Sequence, residues 1–376
     1  MNKVKKLYVH NDFTLNGKTF NSIEALLSYA RLHTPSIHSF LTKWFNDDDF
    51  INVKTSGSTG KPKNILLKKE YMVNSAKATG AFFDLQNRTK ALLCLSTDFI
   101  AGKMMLVRAL TLGWHLDSVA PDGNPLKGIS QDYDFSAMVP LQVYNSLDKL
   151  SHIKKLIIGG GTVSKELAAK LQSISTEAYV TYGMTETYTH IAVQKLNNLS
   201  FRKGMTKDSK SEEKITSVEN QLHDDVYFTL PNISISTDER GCLVIEAPKI
   251  SDKQIVTNDL VELISDHTFK WLGRYDGMIN SGGIKLIPEQ IEEKLSTVIK
   301  ERFFVAGIPD EALGERMIVV IESEIEDAVL LSEMKNLPTL DSYEVPKKVY
   351  FIPKFLETET KKIQRQKTLD LIFENR

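Results

Sequence analysis

The sequence has 376 residues and a formal net charge of −1, from 47 basic and 48 acidic residues. Its 41% hydrophobic and 25% charged residues are typical of a globular chain and exclude a disordered or collagen-like one. The balanced charge argues against nucleic acid as the main partner.

No stretch approaches the roughly 18 consecutive apolar residues of a membrane span. The start of the chain is basic, but polar Asn11 and Asp12 follow where a signal peptide would have an apolar run. The two cysteines, Cys94 and Cys242, are too few for a disulfide framework or a zinc site. We therefore expect a cytoplasmic globular protein without a membrane span.

Strand-like runs alternate with amphipathic segments of helix length in the first part of the chain. Ala91–Leu95 and Lys155–Ile158 are two such runs, and the alternation predicts a parallel sheet with crossover helices. From about residue 224, short strands separated by turn residues predict an antiparallel sheet or a small barrel. These strands are expected over Val226–Leu230, Ile233–Ser236, Leu243–Glu246 and Val261–Ile264.

Two later segments differ from this pattern. Lys195–Asn220 is polar and is predicted to be a mobile loop. From about residue 277 the chain predicts a separate α+β module, with a helix over Pro288–Lys300, strands over Arg316–Glu322 and Lys348–Ile352, and a further helix between these strands. The predicted fold class is therefore α/β: a large N-terminal domain (1–275) with a doubly wound parallel sheet and a small barrel-like part, then a small α+β C-terminal domain (276–376).

A glycine- and hydroxyl-rich loop, Thr55–Lys63, is the most informative segment. Gly57 and Gly60 allow a tight turn that brings backbone N–H groups close to an anion. The loop is not a Walker A motif, because only two residues separate the glycines and Pro62 follows the lysine. A polar surface turn explains such a cluster as well as a phosphate site does. Further donors for phosphate oxygens are available from Thr55, Ser56, Ser58, Thr59, Lys61 and Lys63.

Further short motifs follow this loop, and each has a purely structural explanation when it is taken alone. Three glycines form tight turns, Thr or Glu caps helices, and paired lysines usually face solvent. In their order along the chain, however, they resemble the motifs of the adenylate-forming superfamily of acyl-CoA synthetases, luciferases and peptide-synthetase adenylation domains. The segments that carry the resemblance are Thr55–Lys63, Gly159–Gly161, Tyr182–Glu186, Thr257–Asp259, Gly273–Asp276, Ser281–Glu292 and Thr360–Arg365.

The resemblance implies how the motifs up to residue 186 would hold ATP. Thr55–Lys63 would bind the β- and γ-phosphates, and Tyr182, followed by Gly183, would lie against adenine. Thr185 would contact the α-phosphate and Glu186 would hold magnesium. The wall between the adenine and acyl pockets would be formed by Gly159, Gly160 and Gly161.

The remaining motifs imply a mobile C-terminal domain. Asp259 would grip the ribose hydroxyls, although Asn258 replaces the usual glycine before it, and Arg274 would contact the ribose and phosphates. Asp276 would be the hinge. Lys362 aligns with the catalytic lysine, although Lys361 replaces the glycine that usually precedes it. The side that receives CoA would be formed by Gly282 and Gly283.

The implied activity joins an acid to CoA with ATP and Mg²⁺, through an acyl-adenylate and with release of pyrophosphate. Only 54 residues precede the phosphate loop, so we expect a trimmed first subdomain. This compact form, with Ile100–Met105 and Tyr182–His190, resembles the bacterial branch that activates o-succinylbenzoate in menaquinone biosynthesis. Other branches remain as alternatives: an aryl or medium-chain acyl-CoA synthetase, or a stand-alone adenylation protein.

A second carboxylate on an aromatic acid requires a cationic or hydroxyl group in the acid pocket. Lys103 is the candidate for that group, supported by Thr189 or His190. Lys103 fits a solvated lysine at a helix start equally well, and His190 fits a structural histidine. The usual Pro-Leu-Phe-His segment is replaced by Ser96–Phe99, so no pocket gate can be carried over.

A last alternative is a degenerate ligase that only binds nucleotide or serves as an interaction module. Four residues to which the resemblance assigns roles argue against it, because they are all retained: Glu186, Asp259, Arg274 and Lys362.

Overall fold

A computed structural model describes residues 9–54, 64–197, 225–358 and 362–374. These residues form two compact units. The first unit contains the described residues up to 234 together with 246–255, and the second contains 235–245 and those from 256 onwards. No helix in the described part of the chain is long and apolar enough to span a membrane.

The first unit is built on a sheet of eight strands in the order β1-β5-β4-β6-β7-β8-β9-β10. The neighbouring strands from β1 to β8 pair in parallel, and β9 and β10 add antiparallel pairings. Two further strands, β2 and β3, pair antiparallel by themselves. The predicted α/β class with a parallel-rich sheet is confirmed. The strands are β1 (Thr14–Leu15), β2 (Phe50–Lys54), β3 (Asn64–Lys68), β4 (Lys90–Leu93), β5 (His115–Ser118), β6 (Tyr133–Met138), β7 (Ile153–Ile158), β8 (Glu177–Gly183), β9 (His190–Lys195) and β10 (Val226–Thr229).

Six helices connect these strands, and α4 shows why the chain folds as it does here. Its residues are apolar nearly all round, so almost the whole helix is buried, as expected for a helix without a polar face. It ends at Gly113, whose left-handed φ of 72° favours glycine. The helices are α1 (Ile23–His33), α2 (Pro35–Trp44), α3 (Lys69–Phe82), α4 (Ile100–Leu112), α5 (Pro140–Asn145) and α6 (Lys165–Leu171).

The polar segment predicted as a loop begins inside the sheet. Lys195 is the last residue of β9, and the Asn197 side chain is buried, where its Oδ1 accepts a hydrogen bond from the Ala178 N–H at 3.1 Å. The predicted start of the loop at residue 195 is therefore wrong. Residues 198–220 of that prediction lie outside the described residues.

The second unit contains two sheets. The first has the strand order β11-β12-β13-β14, and the second has the order β16-β15-β18-β17, with β19 parallel to β18. Apolar residues on both faces of β18 form two cores, one under the helices α7 and α8 and the other under α9. The elements are β11 (Ser234–Thr237), β12 (Cys242–Glu246), β13 (Ile255–Ser265), β14 (Thr268–Arg274), β15 (Ile279–Ser281), β16 (Ile284–Leu286), α7 (Pro288–Leu295), β17 (Phe303–Asp310), β18 (Gly314–Glu322), α8 (Leu330–Lys335), β19 (Lys348–Ile352) and α9 (Arg365–Glu374).

Helix α7 is shorter than predicted, because it ends at Leu295 and not at Lys300. The two residues after it bond back to the helix: Ser296 Oγ donates to the Glu293 carbonyl at 2.6 Å and Thr297 Oγ1 donates to the Lys294 carbonyl at 2.9 Å. Such side-chain bonds compete with helical hydrogen bonding and end the helix early.

Candidate active site

The predicted phosphate loop connects the paired strands β2 and β3. Lys54 and Asn64 face each other in that pairing, so the two residues that flank the loop are neighbours across the strand pair. The predicted phosphate-binding residues of this loop lie outside the described residues: Thr55, Ser56, Gly57, Ser58, Thr59, Gly60 and Lys63.

The adenine-side candidates lie at the carboxyl ends of neighbouring parallel strands. Gly159–Gly161 follows β7, and Tyr182 and Gly183 end β8, which pairs in parallel with β7. A Cβ on Gly159 would lie 2.5 Å from Thr181 Oγ1, so any larger residue would require the Thr181 side chain to shift. The carboxyl edge of a parallel sheet is where α/β proteins bind ligands.

The turn after β8 carries the candidates for the α-phosphate and for magnesium. Thr185–Thr187 forms one 3₁₀ turn, in which Thr185 is half-buried and Glu186 is exposed. Thr187 Oγ1 accepts a hydrogen bond from the Met184 N–H at 2.9 Å and donates to the Thr189 carbonyl at 2.7 Å. The turn therefore folds back onto β9 and holds the polar side chains of Thr185 and Glu186 at the sheet edge.

The ribose candidates in the second unit lie together. Asp259 and Arg274 face each other across β13 and β14, and Arg274 Nη1 lies 3.6 Å from Asp259 Oδ1. Arg274 also donates through Nε and Nη2 to Asp276, at 3.0 and 2.8 Å, and these bonds lower the pKa of Asp276. The predicted ribose-binding pair and the predicted hinge residue thus form one ion-paired group.

Asn258, which departs from the family pattern, has a structural partner. Its Oδ1 accepts a hydrogen bond from Arg240 Nη1 at 2.9 Å, and Arg240 also donates to the Thr257 carbonyl at 3.0 Å. The guanidinium of Arg240 lies 5.1 Å from the ring centroid of Tyr275. The sequence analysis did not identify Arg240, because Asn258 and Thr257 lie 18 and 17 residues further along the chain.

The candidate catalytic lysine lies between β19 and α9. Lys362 is half-buried, its N–H donates to Thr358 Oγ1 at 3.1 Å, and burial lowers the pKa of its ammonium group. Three residues later, Arg365 Nη2 donates to Glu292 Oε2 at 2.9 Å and anchors the segment to α7. The Lys362 backbone is therefore tied to Thr358 and, through Arg365, to α7.

The two CoA-side glycines form the loop of a hairpin. Ser281 pairs with Ile284, so Gly282 and Gly283 are the whole connection between β15 and β16. Both have positive φ, 61° and 83°, as a two-residue hairpin turn of this type requires.

Lys103 is buried, so the interpretation of it as a solvated lysine is wrong. Its side chain is 8% exposed, and Nζ donates a hydrogen bond to the Asp98 carbonyl just before α4. Burial lowers the pKa of Lys103 to about 8; Asp98 opposes this effect and Lys43 adds to it. Lys103 is therefore a desolvated cation near the start of α4.

The other two acid-pocket candidates contact a residue that the sequence analysis missed. Arg108 on α4 is 1% exposed, and its Nη2 lies 3.3 Å from Thr189 Oγ1 and 3.5 Å from His190 Nδ1. Its Nε donates to Thr79 Oγ1 at 3.3 Å. Burial lowers the pKa of Arg108 to about 9, and no carboxylate among the described residues compensates its charge. An arginine between apolar residues in Ile100–Leu112 was the available signal.

His190 is held in its neutral form. Burial, and then the charge of Arg108, place the pKa of His190 well below its usual range. Because Arg108 can only donate, Nδ1 of His190 accepts and the ring proton lies on Nε2. Nε2 is buried and has no hydrogen-bond partner in the described part of the chain. His190 also lines a cavity of about 300 Å³, whose wall includes Ala78, Ala81, Leu230 and Ile250.

Comparison with known proteins gives the family of this chain. The family model described as "AMP-binding enzyme" matches residues 47–225. The chain is 26% identical over 363 residues to a 2-succinylbenzoate–CoA ligase of Bacillus mycoides, covering 90% of this chain and 74% of that protein. It is 23% identical over 398 residues to the ligase of the same name from a Geobacillus species, covering 98% and 78%.

Solved structures show the same fold. An AMP-forming acyl-CoA synthetase/AMP-acid ligase II-like protein from Dyadobacter fermentans is 33% identical, with a TM-score of 0.59, covering 94% of this chain and 99% of that chain. An o-succinylbenzoate coenzyme A synthetase from Bacillus subtilis, solved with ATP and magnesium, is 17% identical with a TM-score of 0.67, covering 85% and 69%.

The parallel-rich sheet, the motif residues at its carboxyl edge and these relatives define an AMP-forming acid–CoA ligase. Its relatives include enzymes that act on an aromatic dicarboxylic acid. The chain belongs to the AMP-binding enzyme family.

Proposed function

We propose that this ligase activates o-succinylbenzoate with ATP and transfers the acyl group to CoA, as a step of menaquinone biosynthesis. The observation that carries the proposal is the buried guanidinium of Arg108 beside Thr189 and His190, without a carboxylate partner among the described residues. The similarity to 2-succinylbenzoate–CoA ligases supports the same substrate.

A second carboxylate on the substrate explains this cluster. A buried charge without a counter-ion is strongly unfavourable, and the three groups that contact Arg108 are neutral. An arginine fork binds a carboxylate through two parallel hydrogen bonds. The cavity that His190 lines, of about 300 Å³, is at the lower end of the size range of ligand pockets. Its lining is mixed, with Lys77 and Lys249 beside apolar residues that suit one aromatic ring.

The first half-reaction joins two anions. One oxygen of the acid attacks the α-phosphorus of ATP, the bond between that phosphorus and the bridging oxygen breaks, and pyrophosphate leaves. Positive charge and N–H donors must neutralise the developing charge. We assign this role to the ammonium group of Lys362, to the Thr185 hydroxyl and to the loop Thr55–Lys63.

Glu186 is the residue that would hold magnesium. It is exposed, and among the described residues there is no cluster of three or more His, Cys, Asp or Glu side chains. A single carboxylate fits this ion, which keeps several waters and takes further ligands from substrate phosphates. When bound, magnesium supplies charge neutralisation at those phosphates.

The second half-reaction requires the lysine to leave. The CoA thiol attacks the acyl-adenylate carbonyl, the bond to the AMP oxygen breaks, and a lysine at that carbonyl would obstruct the thiol. We therefore propose that residues 276–376 move as a lid about Asp276. This motion would withdraw Lys362 and present Gly282 and Gly283 to the incoming CoA. The residue proposed as the hinge, Asp276, forms an ion pair with Arg274.

Acid-dependent ATP–pyrophosphate exchange tests the substrate. We expect exchange with o-succinylbenzoate, and none with benzoate, a medium-chain fatty acid, or the o-succinylbenzoate ester blocked at the carboxylate that is not activated. Exchange that is faster with benzoate or the fatty acid would assign another acyl-CoA synthetase. If none of these acids supports exchange, a degenerate nucleotide-binding module would be favoured.

CoA-dependent release of AMP separates a CoA ligase from a protein that loads a carrier domain. With o-succinylbenzoate and ATP present, we expect AMP release to rise on addition of CoA. Release that needs a carrier protein instead would contradict the proposal.

A further inference from the structure

Tyr188 has a backbone conformation that is rare for any residue except glycine. Its φ is 67° and its ψ is −39°, although the side chain is large and 6% exposed. A bulky residue at positive φ is strained, and such strain persists only where the surroundings impose it. Strained residues of this kind cluster at functional sites.

Three contacts hold Tyr188 in this conformation. Its N–H donates to the Thr185 carbonyl at 2.9 Å, which closes the 3₁₀ turn. Its hydroxyl accepts a hydrogen bond from the Lys68 backbone N–H at 3.3 Å. Its ring packs edge-on against Tyr71, with centroids 5.9 Å apart and planes at 80°.

The partners of Tyr188 are themselves fixed. Lys68 Nζ forms an ion pair with Asp252 at 2.9 Å, and the Tyr71 hydroxyl donates to the same carboxylate. Lys68 is the last residue of β3, the strand that follows the predicted phosphate loop. The hydroxyl of Tyr188 therefore bonds to a strand that is anchored independently.

We propose that Tyr188 is a positioning residue that fixes the turn carrying Thr185 and Glu186 against β3. The groups assigned to the α-phosphate and magnesium would thereby stand at a set distance from the strand that follows the phosphate loop. This inference rests on the proposed function for the roles of Thr185 and Glu186. The strained backbone and the bond to Lys68 are the observations that carry it.

Tyr188→Phe tests the tether, because it removes only the hydroxyl. We expect kcat/KM for MgATP in the exchange reaction to fall about tenfold, as for one lost hydrogen bond. Thioester formation from supplied acyl-adenylate should fall less, because the acyl-adenylate keeps the α-phosphate assigned to Thr185 but lacks the β- and γ-phosphates. Tyr71→Phe is the matched control: it loses the bond to Asp252, keeps the tether, and should leave both half-reactions unchanged.

An equal loss in both half-reactions of Tyr188→Phe would indicate a merely structural role and overturn the proposal, as would unchanged kinetics. Hydrogen–deuterium exchange provides a readout that does not depend on activity. Tyr188→Phe should speed exchange at the Lys68 amide and at the Thr185–Tyr188 turn, whereas Tyr71→Phe should leave that turn protected.

Unchanged amide protection in Tyr188→Phe would show that the bond from Lys68 to the Tyr188 hydroxyl does not fix the turn. This result would overturn the proposal even if the wild-type protein activates no acid. The opposite outcome is also distinguishable. If the wild-type protein shows no exchange activity but Tyr188→Phe loses amide protection as expected, the proposed function is wrong and the role of Tyr188 in fixing the turn is retained.

Discussion

Replacing Arg108 by methionine would remove a buried charge and keep a side chain of similar length. Burial lowers the pKa of Arg108 from its ordinary value to about 9, a shift that corresponds to about 5 kcal/mol against the charged form in the folded protein. Its three hydrogen bonds to neutral groups recover about 0.5–1.5 kcal/mol each. We therefore expect the ligand-free R108M variant to be more stable than wild type by about 1–3 kcal/mol at pH 7.

The size of this effect depends on pH in a defined way. The pKa of Arg108 is lower in the folded protein than in the unfolded chain, so the folded state binds its proton more weakly. The unfavourable contribution is complete below about pH 9 and fades in the range above that pH. The stability difference between R108M and wild type should shrink over that range.

Urea unfolding followed by tryptophan fluorescence measures the difference in stability. Trp44 and Trp114 are fully buried in the first unit, the unit that contains Arg108, so their emission reports on its unfolding. The midpoint should rise in R108M with an unchanged slope. The exchange reaction with o-succinylbenzoate should lose about 100-fold in kcat/KM, because a buried carboxylate would lose its charged partner.

Two results would refute this reasoning. If R108M without ligand is destabilised by about 3–5 kcal/mol, Arg108 has a structural anionic partner in the protein itself. If R108M keeps its activity with o-succinylbenzoate, Arg108 does not contact the acid. Arg108→Lys is the control that retains charge without the planar fork, and it should lie between wild type and R108M in both measurements.

Three further predictions concern other parts of the protein. Lys362→Ala should lower adenylate formation by at least about 10²-fold, as for a lost electrostatic stabiliser, and spare thioester formation from supplied acyl-adenylate. Burial raises the pKa of Glu292 from 4.5 to about 7, outweighing the Arg365 guanidinium at 2.9 Å. Stability should therefore fall as the pH rises from 4.5 to about 7, and Glu292→Gln should remove this fall in urea unfolding. Gly183→Ala should cost about 3 kcal/mol of unfolding free energy, because its Cβ would lie 2.3 Å from the Thr189 carbonyl oxygen. Gly283→Ala meets no atom within 4 Å and should cost about 1 kcal/mol for its positive φ alone.

Each of these predictions has a result that contradicts it. Equal loss of both half-reactions in Lys362→Ala would remove that residue from its assigned role. The same pH dependence of stability in Glu292→Gln and wild type would mean that another group titrates. Equal destabilisation by the two glycine substitutions would show that the close approach at Gly183 relaxes without cost.

The sequence was enough to predict the class of fold and several elements accurately, because strands and tight turns depend on local patterns. Lys348–Ile352 forms β19 over the predicted residues. Gly282 and Gly283 have the positive φ values that a two-residue hairpin loop needs. The order of short motifs likewise indicated an adenylate-forming enzyme, since each motif is continuous in the chain.

Only the tertiary structure decided which side chains are desolvated and which distant residues meet. Arg108 contacts Thr189 and His190 across 81 and 82 residues, and no local pattern encodes that juxtaposition. Lys103 is as polar as any surface lysine in the sequence, yet packing around α4 buries it. Burial and long-range contact arise from the packing of whole elements, so the buried cluster on which the proposed acid pocket rests exists only in the folded chain.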